Sequence, residues 1–161
     1  MADTIEKELK NWFDSNKKVV LAGIGNTIRQ DDYVGLKIVE NLQGKLPQNI
    51  CLLECETVPE SYLLDIEALN PTHVLLIDAS FMGLKPGEAR LVDAEKIVDF
   101  PPITTHILPL KFFCDYIKKA TGAKIGFLLI EPEYMAFGED LNAEVEATAE
   151  RLAKLLLEVL G

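Results

Sequence analysis

The chain contains 161 residues, 16 of them lysine or arginine and 26 aspartate or glutamate, which gives a net charge of −10. This length predicts one domain, 1–161, that is large enough to bury a core of its own. The acidic charge argues against a nucleic-acid-binding surface, and no apolar run reaches the ~20 residues that a membrane helix requires. The first residues are polar and lack the apolar region of a secretion signal. We therefore expect a cytoplasmic monomer that binds neither nucleic acid nor a membrane.

Apolar residues recur with helical and strand-like spacing along the chain. In chain order, the pattern predicts a helix at 3–15, a strand at 18–23, a helix at 32–43, a strand at 50–55, a helix at 59–69, strands at 73–78 and 89–92, a helix at 108–120, a strand at 125–130 and a helix at 142–160. The run at 73–78 is typical of a strand buried on both faces of a parallel sheet, while the run at 89–92 alternates like a more exposed strand. We predict an α/β fold: a three-layer α/β/α sandwich around a twisted, mostly parallel five-stranded sheet with one antiparallel strand.

A glycine-containing turn precedes an acidic pair in the first third of the chain. The apolar run at 19–22 leads directly into GIGN at 23–26, and Asp31 and Asp32 follow at the start of the next predicted helix. Glycine permits positive φ and a close approach of backbone to a ligand, and open α/β sheets bind their ligands at the carboxyl ends of strands. One aspartate could cap the helix, which leaves the other without a structural task.

Two further polar residues are predicted to reach the same edge of the sheet. Asp78 ends the most apolar strand, and His106 lies in a loop rich in proline and threonine at 99–107. Because the carboxyl ends of neighbouring strands converge on one crevice, we expect carboxylates and an imidazole to meet there. Such a set, with open positions, suits a borderline divalent metal such as nickel or zinc. A bound metal would also relieve the repulsion between two carboxylates.

Each of these residues also has a simpler interpretation. Asp78 could cap the turn after its strand, His106 could be a hydrogen-bonded loop histidine, and His73 is interpreted as a surface residue without a role. A dinucleotide site is disfavoured because Ile28 occupies the third glycine position of the fingerprint and because the acidic pair would repel a pyrophosphate. The sequence contains neither a Walker loop nor the nucleophile elbow of serine hydrolases.

These motifs together resemble the hydrogenase maturation endopeptidases, which trim the C-terminal tail of the nickel-containing large subunit. GIGNTIRQDDYVG at 23–35 is similar to the N-terminal signature of that family, and VLLIDA at 74–79 is similar to its central strand. DASFMGLKPGE at 78–88 and TTHILPL at 104–110 resemble the branch that serves formate-hydrogenlyase and energy-converting hydrogenases. The resemblance extends from about residue 19 to residue 157, and its motifs occur in the order found in the family.

The resemblance implies that Asp32, Asp78 and His106 are the catalytic and metal-contacting residues. It implies an aspartyl-type endopeptidase that removes the C-terminal extension of the NiFe-hydrogenase large-subunit precursor after nickel insertion. The enzyme would recognise nickel held by the substrate, so we expect the free enzyme to hold nickel weakly or not at all. The alternative is a nickel-checking binding module without proteolytic turnover, because ligand residues alone do not demonstrate catalysis.

The chain departs from the family pattern in three places. Tyr33 stands where relatives often carry glycine, Glu131 stands where glutamine is common, and residues 1–16 extend beyond many relatives as a predicted extra helix.

The attacking group is expected to be water. The three cysteines lie in a predicted strand and a predicted helix, away from the acidic loops, and no setting that would depress a thiol pKa is visible. They are Cys51, Cys55 and Cys114. Ser80 is close in sequence to Asp78 but has no second histidine placed to activate it. The sequence therefore predicts hydrolysis without a cysteine or serine nucleophile.

Overall fold

Five strands form a single sheet in the computed structural model, which describes residues 2–96, 107–138 and 140–161. They are β1 (Val19–Ile24), β2 (Ile50–Glu56), β3 (His73–Ala79), β4 (Ala89–Asp93) and β5 (Lys124–Ile130). Their spatial order is β2-β1-β3-β5-β4. The pairs β1–β2, β1–β3 and β3–β5 are parallel, whereas β4 runs antiparallel to β5 at one edge. The predicted sheet, with one antiparallel strand, is confirmed.

Helices cover both faces of this sheet. They are α1 (Ala2–Trp12), α2 (Val34–Leu42), α3 (Leu63–Leu69), α4 (Ile107–Thr121) and α5 (Ala143–Leu160). One apolar core lies between the sheet and α1, α2 and α5, and a second lies between the sheet and α3 and α4. Alternate residues of β1 enter the two cores, with Leu21 in the first and Val20 in the second. Among the described residues, none of the helices is both long enough and apolar enough to cross a membrane.

Two predicted helices are divided in the structure. The helix predicted at 32–43 consists of a 3₁₀ turn at Gln30–Tyr33 followed by α2. The helix predicted at 59–69 likewise begins with a 3₁₀ turn, Pro59–Tyr62, followed by α3. The acidic pair therefore lies in a tight turn between β1 and α2 rather than on the helix itself.

The interpretation of His73 as a surface residue is wrong. His73 opens β3 and is only 5% exposed, because the end of α1 packs over the amino ends of β3 and β5. Its ring contacts those of Trp12 and Phe13, with centroid separations of 5.3 and 6.0 Å. Burial, and then the positive charge of Lys124, lower the pKa of the His73 imidazole from its ordinary value. The periodicity of the first helix indicated an apolar side but not which strands that side would cover.

Candidate active site

The turn that carries the acidic pair is pressed against the end of β1. A Cβ atom on Gly25, whose φ is 156°, would overlap the backbone carbonyl oxygen of Asp32. Only glycine permits this approach, and it draws the 3₁₀ turn over the carboxyl edge of the sheet. Asp32 is consequently buried, with 3% of its surface exposed.

A second glycine brings the start of α2 onto the neighbouring strand. A Cβ atom on Gly35 would overlap the carbonyl oxygen of Ile77 and would lie 2.5 Å from that of Ile24. The first turn of α2 therefore packs directly on the backbone of β1 and β3, one residue before Asp78. Together with the contact between the 3₁₀ turn and β3, this packing places Asp32 and Asp78 at the same edge of the sheet, as the sequence predicted.

Asp78 is fully buried at the end of β3, next to its partner strand β5. Its Oδ1 atom accepts a hydrogen bond of 2.8 Å from the backbone N–H of Ala79. This bond agrees with the simpler interpretation, in which a strand-terminal aspartate caps the following backbone. It also orients the carboxylate, and a carboxylate can accept several further bonds through its two oxygens. Capping and a role in binding are therefore compatible at this position.

Asp31 has a task that the sequence did not reveal. Its Oδ2 atom accepts hydrogen bonds from the backbone N–H groups of Glu133 and Tyr134, at 2.7 and 3.0 Å, and its Oδ1 atom accepts one from Asn142 at 2.7 Å. The side chain is fully buried. The simpler interpretation, in which one aspartate is the N-cap of the following helix, does not hold, because the residues at the N-cap positions of the 3₁₀ turn and of α2 are Arg29 and Tyr33. Asp31 instead fastens the segment after β5 to the turn after β1.

Glu131 is a further buried acid at this edge, with 4% of its surface exposed. Its Oε1 atom accepts hydrogen bonds from the backbone N–H groups of Met82, at 2.6 Å, and Leu84, at 3.2 Å. These bonds tie the end of β5 to the turn that follows β3. The side-chain oxygen of a glutamine could accept the same two bonds, so the departure from the family at this position preserves the acceptor.

Tyr33, another of the departures from the family pattern, directs its side chain away from the turn and along α2. Its hydroxyl donates to the carboxylate of Glu40. Burial, and then that hydrogen bond, raise the pKa of the Tyr33 hydroxyl to about 12. The phenol therefore stays protonated at neutral pH and acts as a donor that braces α2.

The predicted histidine ligand lies outside the described residues, since the structure does not describe 97–106. Its meeting with Asp32 and Asp78 stays a prediction. Within the described ranges, no three His, Cys, Asp or Glu side chains are grouped to hold a metal ion. The predicted set of three accordingly requires His106.

Of the nucleophiles considered from the sequence, Cys55, Cys114 and Ser80 are buried, and Cys51 is half-buried. Burial raises the pKa of both the Cys55 and Cys114 thiols to about 12, and burial also raises that of the half-buried Cys51. Ser80 is fully buried after β3, where its backbone N–H donates to the carbonyl of Ile130 at 3.0 Å. Raised thiol pKa values disfavour the thiolate that nucleophilic attack requires.

Comparison with known proteins agrees with this fold. Residues 36–159 match the sequence profile of the hydrogenase maturation proteases, HycI. The hydrogenase 3 maturation protease of Escherichia coli is 31% identical over 137 residues, which cover 85% of this chain and 87% of that protein. The crystal structure of a NiFe hydrogenase maturation protease, HycI, from Thermococcus kodakarensis superposes with a TM-score of 0.88 at 33% identity, covering 95% of this chain and 98% of that one. The solution structure of the E. coli endopeptidase HycI gives a TM-score of 0.79 at 30% identity and covers 90% and 92% of the two chains. The chain belongs to the hydrogenase maturation protease family and is a peptidase.

Proposed function

We propose that this protein removes the C-terminal extension of the large-subunit precursor of a NiFe hydrogenase after nickel has been inserted. The observation that carries the proposal is a pair of buried carboxylates, Asp32 and Asp78, at the carboxyl edge of the sheet of a hydrogenase maturation protease. Asp32, Asp78 and His106 are the proposed catalytic and metal-contacting residues. The working form in this proposal is a cytoplasmic monomer.

The proposed ligands suit nickel that arrives with the substrate. Carboxylate oxygens and an imidazole nitrogen bind borderline divalent metals, and three of them leave coordination positions for groups of the precursor. A buried carboxylate attracts a cation more strongly than an exposed one because the local dielectric is lower. The same cation offsets the repulsion between two buried acids. A site made only of these groups, without cysteine, would bind nickel weakly on its own and release it when the product dissociates.

Water is the proposed nucleophile. Substrate-held nickel supplies Lewis acidity to the scissile carbonyl or to the water. Of this chain's own groups, the carboxylate of Asp32 or of Asp78 accepts the proton of a water that is bound within hydrogen-bond distance of it. The raised pKa values of Cys55 and Cys114 support this route over a thiolate attack.

The test is cleavage of nickel-loaded and nickel-free precursor, followed by mass spectrometry of the large subunit. We expect a shortened large subunit only from the nickel-loaded precursor. We also expect chelator treatment of the protease alone, followed by removal of the chelator, to leave the activity unchanged. The Asp32→Asn variant should lose cleavage by at least about a hundredfold, as expected when a group that stabilises the transition state is removed.

The matched control is Asp140→Asn, because Asp140 is exposed and lies in the segment between β5 and α5. It should cleave at the wild-type rate. Tight, saturable binding of nickel-loaded precursor without any shortened product would favour the binding module instead. A full equivalent of nickel that survives chelation of the free protein would contradict recognition of substrate-held nickel.

A further inference from the structure

We propose that an apolar ridge, formed by Ile28, Tyr134 and Phe137, is the surface on which the large-subunit precursor docks beside its cleavage site. The proposal rests on the proposed function and adds the location and the chemistry of substrate recognition. The ridge would receive apolar side chains of the precursor that flank the scissile bond.

Exposed apolar side chains gather at the carboxyl edge of the sheet. The described residues expose seven large apolar side chains, and five of them lie in segments that follow strands. These five are Ile28, Val58, Phe81, Tyr134 and Phe137. The other two, Leu64 and Phe112, lie on α3 and α4. Apolar surface concentrated around buried acids is typical of a protein-binding site rather than of random exposure.

Backbone hydrogen bonds join the two segments that carry the ridge. The segment at 28–30 and Gly138 form a parallel β-bridge, in which the Gly138 N–H donates to the Ile28 carbonyl and the Gln30 N–H donates to the Gly138 carbonyl, both at 2.9 Å. Two segments that follow different strands, β1 and β5, are joined in this way. Ile28 and Phe137 are therefore neighbours on a built surface.

The side chain of Arg29 contacts two residues of the segment that carries the ridge, Met135 and Phe137. Its Nε and Nη2 atoms both donate to the Met135 carbonyl, at 3.1 and 3.0 Å. Its guanidinium carbon lies 5.9 Å from the centre of the Phe137 ring, within the range of a cation–π contact. Phe137 remains 82% exposed despite these contacts. An aromatic ring held in place and left open to solvent has lost part of its conformational freedom before any partner binds, which favours docking.

The ridge is continuous with the acidic site. The Asp31 N–H donates to the Tyr134 carbonyl at 3.0 Å, and the Asp31 carboxylate accepts from the Tyr134 N–H at the same distance. Asp32 is the next residue in the chain. The ridge therefore adjoins the turn that carries Asp32, where the precursor is proposed to be cleaved.

The occupant we infer is the precursor rather than a second copy of this chain. A second copy seated on the ridge would cover the edge that holds Asp32 and Asp78, and the precursor must have access to that edge. The ridge presents two aromatic rings and an aliphatic side chain, with the exposed Arg29 beside the Phe137 ring, so its partner would contribute mainly apolar side chains. Aromatic anchors of this kind often dominate the affinity of protein interfaces.

The experiment compares Phe137→Ser and Ile28→Ser with Leu64→Ser. Leu64 is also exposed, at 73%, but lies on α3, so its variant removes exposed apolar surface away from the ridge. Because all three side chains are exposed, we expect each variant to fold with a melting temperature close to that of the wild type. Phe137→Ser should raise KM for nickel-loaded precursor about tenfold, a loss typical of an interface hot spot, with kcat within about twofold. Leu64→Ser should leave both constants unchanged, and Phe137→Leu should recover most of the affinity.

A wild-type KM for Phe137→Ser and Ile28→Ser would overturn the docking proposal. So would a concentration-dependent dimer of the wild type that these substitutions dissociate without changing KM, because the ridge would then bind a second copy. If the wild type itself fails to cleave, the proposed function is wrong. The affinity of the precursor for the wild type and for Phe137→Ser, measured directly by calorimetry, then decides the docking proposal separately.

Discussion

Asp31 and Asp32 are adjacent in the chain but serve different purposes. Asp31 accepts three backbone hydrogen bonds from a segment more than 100 residues away, whereas Asp32 is held at the sheet edge by the close approach of its backbone to Gly25. Bonds from backbone N–H groups to a buried carboxylate are charge-assisted and stronger than neutral ones. The first aspartate thus maintains the surroundings in which the second is proposed to act.

We expect Asp31→Asn to destabilise the protein and to loosen the segment after β5. An asparagine presents an NH₂ group to at least one backbone donor, so at least one of the three bonds is lost. Each bond to a charged group contributes about 1.5–3 kcal/mol, and urea unfolding should show a loss of about that size. Amide hydrogen exchange at Tyr134 and Asn142 should become faster in the native state.

The control for this prediction is Thr72→Val at the opposite edge of the sheet. The Thr72 hydroxyl bonds the backbone of Lys17 and Lys18 in three ways, at 3.0 to 3.3 Å, and valine has the same shape without the hydroxyl. It should also destabilise the protein but leave exchange at Tyr134 unchanged. Equal exchange rates in Asp31→Asn and the wild type would show that Asp31 does not secure this segment.

At the scale of elements, the position of α2 depends on a residue that is poorly suited to helices. Gly35 lies in its first turn, where glycine costs about 1 kcal/mol relative to alanine. The structure explains the choice, because any side chain would strike the carbonyl oxygen of Ile77. The packing of helix on strand outweighs helix propensity here, and it holds the residues just before Gly35, including Asp32, at the carboxyl edge of the sheet.

The Gly35→Ala variant distinguishes helix propensity from packing, because the two predict changes in unfolding free energy of opposite sign. Helix propensity alone predicts a gain in stability of about 1 kcal/mol, whereas overpacking against β3 predicts a loss of about 1–3 kcal/mol. We expect a loss, measured by urea unfolding, together with reduced precursor cleavage. Lys154→Ala on the exposed side of α5 is the control and should change stability by less than about 0.5 kcal/mol. A Gly35→Ala protein more stable than the wild type would show that α2 can move off the sheet without penalty.

At the scale of the whole molecule, the two edges of the sheet differ in character. The carboxyl edge holds the buried acids and the apolar ridge, while the amino edge is closed by the rings of Trp12, at the end of α1, and Phe13, the next residue, against the buried His73 imidazole. Under the proposed function the carboxyl edge receives the substrate, and the amino edge contributes to stability through burial. His73 accordingly adds an acid-sensitive contribution to stability at the amino edge.

Stability should fall as the pH drops below about 6.5, the ordinary pKa of histidine. The pKa of His73 is lowered in the folded protein by burial and by Lys124, although Asp14 opposes this shift. Between the folded and unfolded pKa values the unfolded chain binds more protons, so acidification favours unfolding. Urea unfolding of the wild type and His73→Asn between pH 5 and 8 should show that the variant lacks this component. His106→Asn, which removes the other histidine, should retain it.

The alternation of strands and helices was predictable because it depends on local periodicity. The mostly parallel sheet also followed from one local signal, the apolar run that became β3. The acidic edge could be predicted because topology alone brings the ends of parallel strands together. That reasoning located Asp32 and Asp78 but left the place of His106 a prediction.

The misses concern contacts between residues far apart in the chain. The burial of His73 depends on where α1 lies, and the partners of Asp31 and Glu131 are backbone groups of other loops. A backbone N–H has no sequence signature, so a carboxylate that binds one cannot be told from a catalytic acid by residue type. Gly35 was the exception that offered a signal, since a glycine inside a helical pattern often marks close packing.

The bonds of Asp31 also have a consequence for the order in which the protein is made. The hydrogen-bond donors to its carboxylate lie 102, 103 and 111 positions further along the chain. Closing loops of this length is entropically costly and slow compared with local folding. During synthesis the first strand and its turn leave the ribosome long before residue 142 does. We expect the carboxyl edge, the proposed active site, to be among the last parts of the molecule to form, so a nascent or truncated chain should not cleave a hydrogenase precursor.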